Sequence, residues 1–197
     1  MNSQLFIETM RVVDGQIANL SGHIGRMQRT VREVYHCEPE LQQLRNLAIP
    51  AEAKKCRIVY GTAIETIEFG DYKPRQINTL KLVEATAELD YHLKYADRSA
   101  LNKLAELRGD CDEILIVKDG QITDTSFSNV VFTDGQRFVT PSSYLLPGTM
   151  RAALLQSGAV TEAPIRPGDL QQFSHVTLIN AMLPLHAFPL IPISNIH

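Results

Sequence analysis

EILIVKDGQITDTSFSNVVFTDGQRFVT, residues 113–140, holds two Asp-Gly pairs, each set between apolar runs. Asp-Gly supplies the positive φ angles that a tight turn between twisted strands demands. Glu113–Lys118 and Gln121–Asp124 therefore read as one hairpin around Asp119-Gly120. Val130–Thr133 and Arg137–Thr140 read as a second around Asp134-Gly135, and a shared strand near Ser128–Phe132 makes the two a meander. A further pair, Asp14-Gly15, lies between Gln4–Val13 and Gln16–Leu20 and predicts a hairpin near the start. Lys55–Phe69 and Asn78–Ala85 read as additional strands.

Helical spacing separates these strands. Ile24, Met27, Val31 and Val34 recur at three- and four-residue steps and predict a helix over 21–36, with Ser21 as its N-cap. Asp97 is placed to cap a helix carrying Ala100, Leu101, Leu104 and Leu107 and ending at Gly109. A third helix opens at Leu146-Pro147-Gly148-Thr149, runs to about Gln156 and stops near Gly158. The fold class is α+β. The weakly periodic stretch Thr86–Leu93 reads as the crossing between two lobes, a small N-terminal lobe over 1–85 and a larger one over 86–197. The last residues, LPLHAFPLIPISNIH, are apolar but broken by Pro184, Pro189 and Pro192, so an extended segment packed on the body is expected.

Composition bounds the function. The chain has 197 residues, of which 44% are apolar and 21% charged, enough to bury a core. Its net charge of −3 argues against a bulk grip on nucleic acid or an anionic membrane, and leaves room only for a local basic patch. Cys37, Cys56 and Cys111 are widely spaced with no C-x-x-C pair, which speaks against a zinc site and a disulfide framework and for a reducing, cytoplasmic compartment. The start carries charges among its apolar residues, so no signal peptide is expected. No run approaches the ~18 apolar residues of a membrane span.

Four places offer chemistry. Lys94 sits in Tyr91-His92-Leu93-Lys94-Tyr95-Ala96, among aromatic and apolar neighbours that favour a desolvated amine of lowered pKa, the condition for a Schiff-base lysine. Taken alone, its composition favours a strand-end lysine with its head in water, and His92 beside it reads as a packing or surface residue. The opening of the third helix offers unsatisfied N–H groups and a partial positive charge to a phosphate, with Gly148 allowing close approach and Thr149 adding a hydroxyl. Arg26 lies at the edge of the first helix's apolar stripe, within reach of a phosphate or, with Arg29 and Arg32, on a solvated basic face. Asp124 ends a strand inside a Ser/Thr-rich loop, as a held carboxylate or as a turn former. A reactive lysine, a carboxylate, a helix N-terminus and an arginine are together the parts that hold pyridoxal 5'-phosphate (PLP).

In this order the motifs resemble fold-type IV PLP enzymes, the class IV aminotransferase superfamily, over nearly the whole chain. Phe6-Ile7-Glu8-Thr9 resembles the family's "FET" strand, and Leu20-Ser21-Gly22-His23-Ile24-Gly25-Arg26-Met27 its "L-x-x-H-x-x-R-L" helix. Asp112-Glu113-Ile114-Leu115 with Asp124–Asn129 resembles "DE-hydrophobic … E-x-x-x-x-N". Thr140-Pro141 with Leu146–Arg151 resembles "TP … LPG-x-x-R". The resemblance implies a two-lobed fold, a homodimer and a small amino substrate. It makes Lys94 the catalytic Schiff-base lysine, Arg26 a phosphate ligand and Asp124 the partner of the pyridine nitrogen. Leu146 would pack on the ring; the Thr149 and Met150 backbone N–H groups and the Asn180 side chain would hold the phosphate.

Two departures stand out: aspartate replaces the family's glutamate at 124, and the small lobe is shortened between Arg26 and Cys56. Within the superfamily, Lys94-Tyr95-Ala96-Asp97-Arg98 resembles the "K-x-x-N-R" of 4-amino-4-deoxychorismate lyases, with Ser99 where aminotransferases have tyrosine. Asn180-Ala181-Met182-Leu183-Pro184 resembles their "N-A-L-M-P". The lyase reading, which implies release of pyruvate and formation of the folate precursor 4-aminobenzoate, therefore leads. A branched-chain or D-amino-acid aminotransferase and a catalytically weak PLP-binding protein are the alternatives.

Overall fold

The computed structural model describes residues 4–197. The chain packs as two compact units: Met1–Lys73 with Leu93–Asp97, and Pro74–His92 with Arg98–His197.

The first unit is a four-stranded sheet with one long helix. Strand β1 (Phe6–Val13) turns through Asp14-Gly15 into β2 (Gln16–Ile17), and both turn residues take positive φ, as the Asp-Gly reading requires. The expected single strand over 55–69 is instead a hairpin of β3 (Lys55–Tyr60) and β4 (Ile64–Gly70), because the chain reverses at Gly61–Ala63. Sheet order is β2-β1-β3-β4. Helix α1 (Leu20–Tyr35) starts from Asn19 in the left-handed conformation rather than from Ser21. A Cβ at Gly22 would meet the amide end of the Asn19 side chain at 2.6 Å, so the glycine lets that side chain lie over the first turn.

The inward face of α1 carries two parallel lines. Met27 and Val31, flanked by Leu20, Ile24 and Val34, pack on the Phe6, Met10, Ile58 and Tyr60 core. Beside them His23, Arg26 and Thr30 are also buried, which a buried face tolerates only if the polar groups are paired. Residues 93–97 complete this unit. The Ile7 N–H donates to the Lys94 carbonyl at 2.9 Å and the Ala96 N–H to the Leu5 carbonyl at 2.8 Å, while the Tyr95 ring lies 5.5 Å from that of Phe6. The segment is one more rung along β1.

The second unit holds two sheets. Strands β5 (Leu80–Glu84), β6 (Glu113–Lys118) and β7 (Gln121–Ile122) form one, with β5 and β6 parallel. Its parallel crossover carries α2 (Ser99–Glu106), whose N-cap is Arg98 rather than Asp97. The other sheet, in order β10-β9-β8-β11-β12, contains β8 (Asn129–Thr133), β9 (Phe138–Pro141), β10 (Thr161–Ala163), β11 (His175–Ile179) and β12 (Ile191–Pro192). Helix α3 (Thr149–Gln156) lies between β9 and β10 in sequence.

Two expectations are corrected here. The hairpins do not form one meander, since β7 pairs with β6, and β8 pairs with β9 and β11. An isolated bridge between Asp124 and Asn129 links the two. The β8–β9 connection is also wider than a two-residue turn, because Asp134 Oδ1 takes the N–H groups of Gln136 and Arg137. The proline-broken end is extended as expected: β12 pairs with β11, and the Leu82 N–H donates to the His197 carbonyl.

Phe6 is fully buried against Tyr60 and Tyr95. Phe6→Ala should lower unfolding free energy by about 3–5 kcal/mol in urea titrations. A loss under about 1 kcal/mol would show that this aromatic cluster does not carry the unit.

Candidate active site

Within the first unit, the alternation of β1 turns Phe6, Glu8, Met10 and Val12 inward, so a carboxylate stands in an apolar register. Arg26 answers it with two parallel bonds, Nε to Oε1 at 2.8 Å and Nη2 to Oε2 at 2.6 Å. His23 Nδ1 meets Oε2 at 2.6 Å. Glu8 has no exposure and His23 and Arg26 have 1% and 5%. Burial alone would raise the Glu8 pKa. The Arg26 charge and the hydrogen bonds of Arg26 and His23 outweigh it and hold the carboxyl at about 2. An ionised Glu8 fixes the His23 proton on Nδ1. Tyr60, which burial and then the Glu8 charge push above its ordinary range, stays a neutral phenol.

Arg26 is therefore not part of a solvated basic face; Arg29 and Arg32 are. Its guanidinium is pre-set in a bidentate grip that removes the rotamer freedom a ligand would otherwise have to quench. Lys94 is half-buried, and its backbone is bonded to β1 at Ile7, the residue before Glu8. Strand β1 thus supports both the charge cluster and the lysine's main chain.

In the second unit a connected polar ring surrounds the 124–129 turn. Asp124 is 5% exposed. Its Oδ1 accepts from Asn129 Nδ2 at 2.8 Å, and its Oδ2 accepts the Leu145 and Leu146 N–H groups at 3.2 and 3.0 Å. Asn129 Nδ2 also donates to the Leu146 carbonyl at 3.0 Å. The carboxylate and the amide together clamp the chain just ahead of α3. Burial pushes the Asp124 pKa up to about 6, against the pull of the Leu146 N–H, the Asn129 amide, the Leu145 N–H and the Arg151 charge.

Helix α3 begins after Gly148, where a Cβ would collide with Asn129 Oδ1. The Ala152 N–H closes the first turn of α3 onto the Gly148 carbonyl at 2.9 Å. Thr149 is buried, while the Met150 side chain packs beside Val131, Val160 and Ile179 and leaves only its main chain for a ligand. Leu146 is half-buried. Asn180 Nδ2 donates to Ser128 Oγ at 2.8 Å, and its Oδ1 takes the Met182 and Leu183 N–H groups. Asn180 is thus tied to the 124–129 turn and to its own tight turn. Arg151 donates to the Pro141 carbonyl and to Glu162, and its guanidinium lies 4.5 Å from the Tyr144 ring centroid. It braces the loop before α3.

These residues fit PLP. A buried carboxylate without a hydrogen-bonded cationic side chain suits a protonated ring nitrogen, and Oδ1, with one hydrogen bond against two at Oδ2, has the capacity to receive it. The N-terminal end of α3, with its partial positive charge, suits a phosphate. Glu8 and His23, which motif reading named without a role, form one buried cluster with Arg26. The signal was a charged side chain in an inward register of β1, facing a histidine and an arginine three residues apart on α1.

The class IV amino-transferase family model matches residues 5–196, and the chain belongs to that family. Enzymes of this class are PLP-dependent, and so is this one. It is 31% identical to a "putative 4-amino-4-deoxychorismate lyase" of Haemophilus somnus 129pt, with a TM-score of 0.85 over 94% of this chain and 100% of that one. It is 36% identical over 181 residues to an uncharacterised protein of Haemophilus influenzae, covering 89% of this chain and 96% of that protein. The PLP-bound form of a hypothetical aminotransferase from Mycobacterium tuberculosis shares the fold, at 18% identity and a TM-score of 0.77 over 96% of this chain and 81% of that one. Among the described residues no helix is long and apolar enough to cross a membrane.

Glu8→Gln leaves the buried Arg26 charge without its counter-ion and should cost about 3–5 kcal/mol. Because the folded Glu8 pKa lies below its ordinary 4.5, its stabilising contribution is complete above that pH and is lost as pH falls toward about 2. The acid limb of a circular-dichroism pH titration should flatten in the variant; an unchanged limb would remove Glu8 from this role. Gly148→Ala should cost about 1–3 kcal/mol through the collision with Asn129, and unfolding at wild-type denaturant concentration would contradict that.

Proposed function

We propose that this chain is a PLP-dependent lyase that converts 4-amino-4-deoxychorismate into 4-aminobenzoate and pyruvate. The observation that carries the reading is the pair of short lyase-like segments, Lys94–Arg98 followed by Ser99, and Asn180–Pro184. Similarity at 31% identity to a "putative" lyase over that chain's whole length supports it. The reaction is redox-neutral. The ring gives up a proton, the bond to the enolpyruvyl oxygen breaks, a proton is returned, and ring aromatisation provides the driving force.

When bound, PLP supplies an aldehyde that captures the substrate amine and a pyridine ring that withdraws electrons from the neighbouring carbon. Lys94 would hold the aldehyde through its amine, and its Nζ would serve as the general base and acid that moves the proton. Arg26, already oriented by Glu8, and the Thr149 and Met150 N–H groups at the start of α3 bind the phosphate. Leu146 packs on the ring. Asp124 holds a proton at the ring nitrogen, and Asn129 and Asn180 keep the 124–129 turn in shape. Without cofactor Asp124 is ionised at neutral pH, with a pKa of about 6. A cationic ring nitrogen bonded to it would draw that pKa down, so turnover should hold near pH 6 and fall at lower pH, where a protonated carboxyl no longer stabilises a protonated ring.

The test begins with the visible absorption spectrum of the protein with PLP, before and after borohydride, beside Lys94→Ala. A band that borohydride removes and the variant lacks is expected. Wild type should then release 4-aminobenzoate and pyruvate in equal amounts from 4-amino-4-deoxychorismate. Keto-acid formation from amino acids without 4-aminobenzoate release would make the chain an aminotransferase and overturn the lyase reading. Bound PLP with neither turnover would make it a PLP-binding protein, and no band at all would sink the lysine assignment.

A further inference from the structure

The second unit holds a local excess of positive charge that the chemistry above does not use. Arg75, Arg98 and Arg108 line a cavity of about 520 Å³ together with Glu113, Ser126 and Phe127. Three guanidinium groups against one carboxylate leave this cavity positive, in a chain whose net charge is −3.

The single carboxylate is already engaged. Glu113, 1% exposed, takes Arg75 Nη1 on Oε2 at 3.1 Å and its neighbour's N–H, from Ile114, on Oε1 at 2.9 Å. Arg75 also donates to the Asp112 carbonyl, and its guanidinium lies 5.2 Å from the Phe127 ring centroid. At this corner of the cavity the Arg75 charge is met by that of Glu113.

The other two guanidinium groups are different. Arg98 donates from Nη2 to the Ser126 carbonyl at 2.6 Å, and its Nε is buried without a partner. Arg108 donates from Nη1 to the Ala105 carbonyl at 3.1 Å, near the end of α2. Neither has a carboxylate partner among the described residues. A carbonyl satisfies one N–H and leaves the charge uncompensated, and compensation of a half-buried guanidinium is worth more than that of a solvated one. The group that best compensates two guanidinium groups lining one cavity is an oxyanion with two or three acceptor oxygens. The volume lies within the roughly 300–1,000 Å³ of small-molecule sites, so the anion has room for an organic body.

We propose that this cavity is a binding site for a small metabolite bearing a carboxylate or phosphate group, gripped by Arg98 and Arg108. Ser126 and Phe127 belong to the turn between Asp124 and Asn129, so an occupant held on Arg98 bears on the same turn that positions the buried carboxylate. The site is separate from the cofactor's phosphate ligands and does not rest on the lyase reading.

Isothermal titration of the PLP-loaded protein at constant ionic strength, with inorganic phosphate and with succinate as probes, tests it. At least one probe should bind saturably, at least tenfold more weakly to Arg108→Gln, and with wild-type affinity to Arg137→Gln, an exposed arginine outside the cavity. Phosphate binding alone identifies a phosphorylated ligand, and succinate binding alone a carboxylate. Arg98→Lys should weaken binding as well; because Arg98 also holds Ser126, the exposed Arg108 decides if that variant misfolds. Saturation by neither probe, or equal affinity in Arg108→Gln and wild type, overturns the proposal. The titration reads heat and not turnover, so its failure is distinct from a failure of the lyase assay.

Discussion

Glu8 is a carboxylate with no exposure to water, and the first unit is arranged around keeping it ionised. Strand alternation puts it inward, and the polar line of α1 supplies Arg26 and His23 to meet it. The same strand accepts the 93–97 segment along its edge, so the support of Arg26 and the support of Lys94 are continuous main chain. A buried ion pair is a costly arrangement for stability alone, and apolar packing commonly replaces one without loss. Its merit here is orientation: a guanidinium held by both oxygens of one carboxylate points one way.

The second unit treats its buried carboxylate in the opposite sense. Asp124 is surrounded by N–H donors and has no cation bonded to it, so burial dominates and its pKa rises, whereas Glu8 is driven down by Arg26. Two carboxylates of similar burial thus diverge because of their partners, a pattern that suits one to structure and the other to receiving a proton's charge. Asp124 serves structure too, since its Oδ2 fixes Leu145 and Leu146 ahead of α3. The shorter side chain at a glutamate position is already engaged by its own loop.

Much of this was legible in the sequence wherever the cause is local. The Asp-Gly turns at 14–15 and 119–120, the stripe of α1 and the start of α3 each depend on neighbours within a few residues. What was not legible depends on distant partners or on a side chain's choice of backbone group. Asp134 capping its own loop widened one turn, and Asn19 in the left-handed conformation set an earlier helix start. The division of the hairpins between two sheets needed β11 as the partner of β8. At the site, the order of motifs singled out Lys94, Arg26, Asp124 and the α3 start. The work of Glu8, Asn129 and Arg151 emerged only once the strands that carry them were paired.

The first unit is discontinuous in sequence, and that bears on its birth. During synthesis the edge of β1 at Leu5 and Ile7 has no partner until Lys94 and Ala96 have left the ribosome, well after the rest of the sheet is complete. An open strand edge in a nascent chain is a template for pairing with other chains. The segment bearing the lysine is therefore also the piece that seals the sheet, and a chain stalled before it would be both incomplete and adhesive. Proofreading of this protein by proteases and chaperones can act on one exposed edge, and whatever escapes that scrutiny already carries its lysine in place.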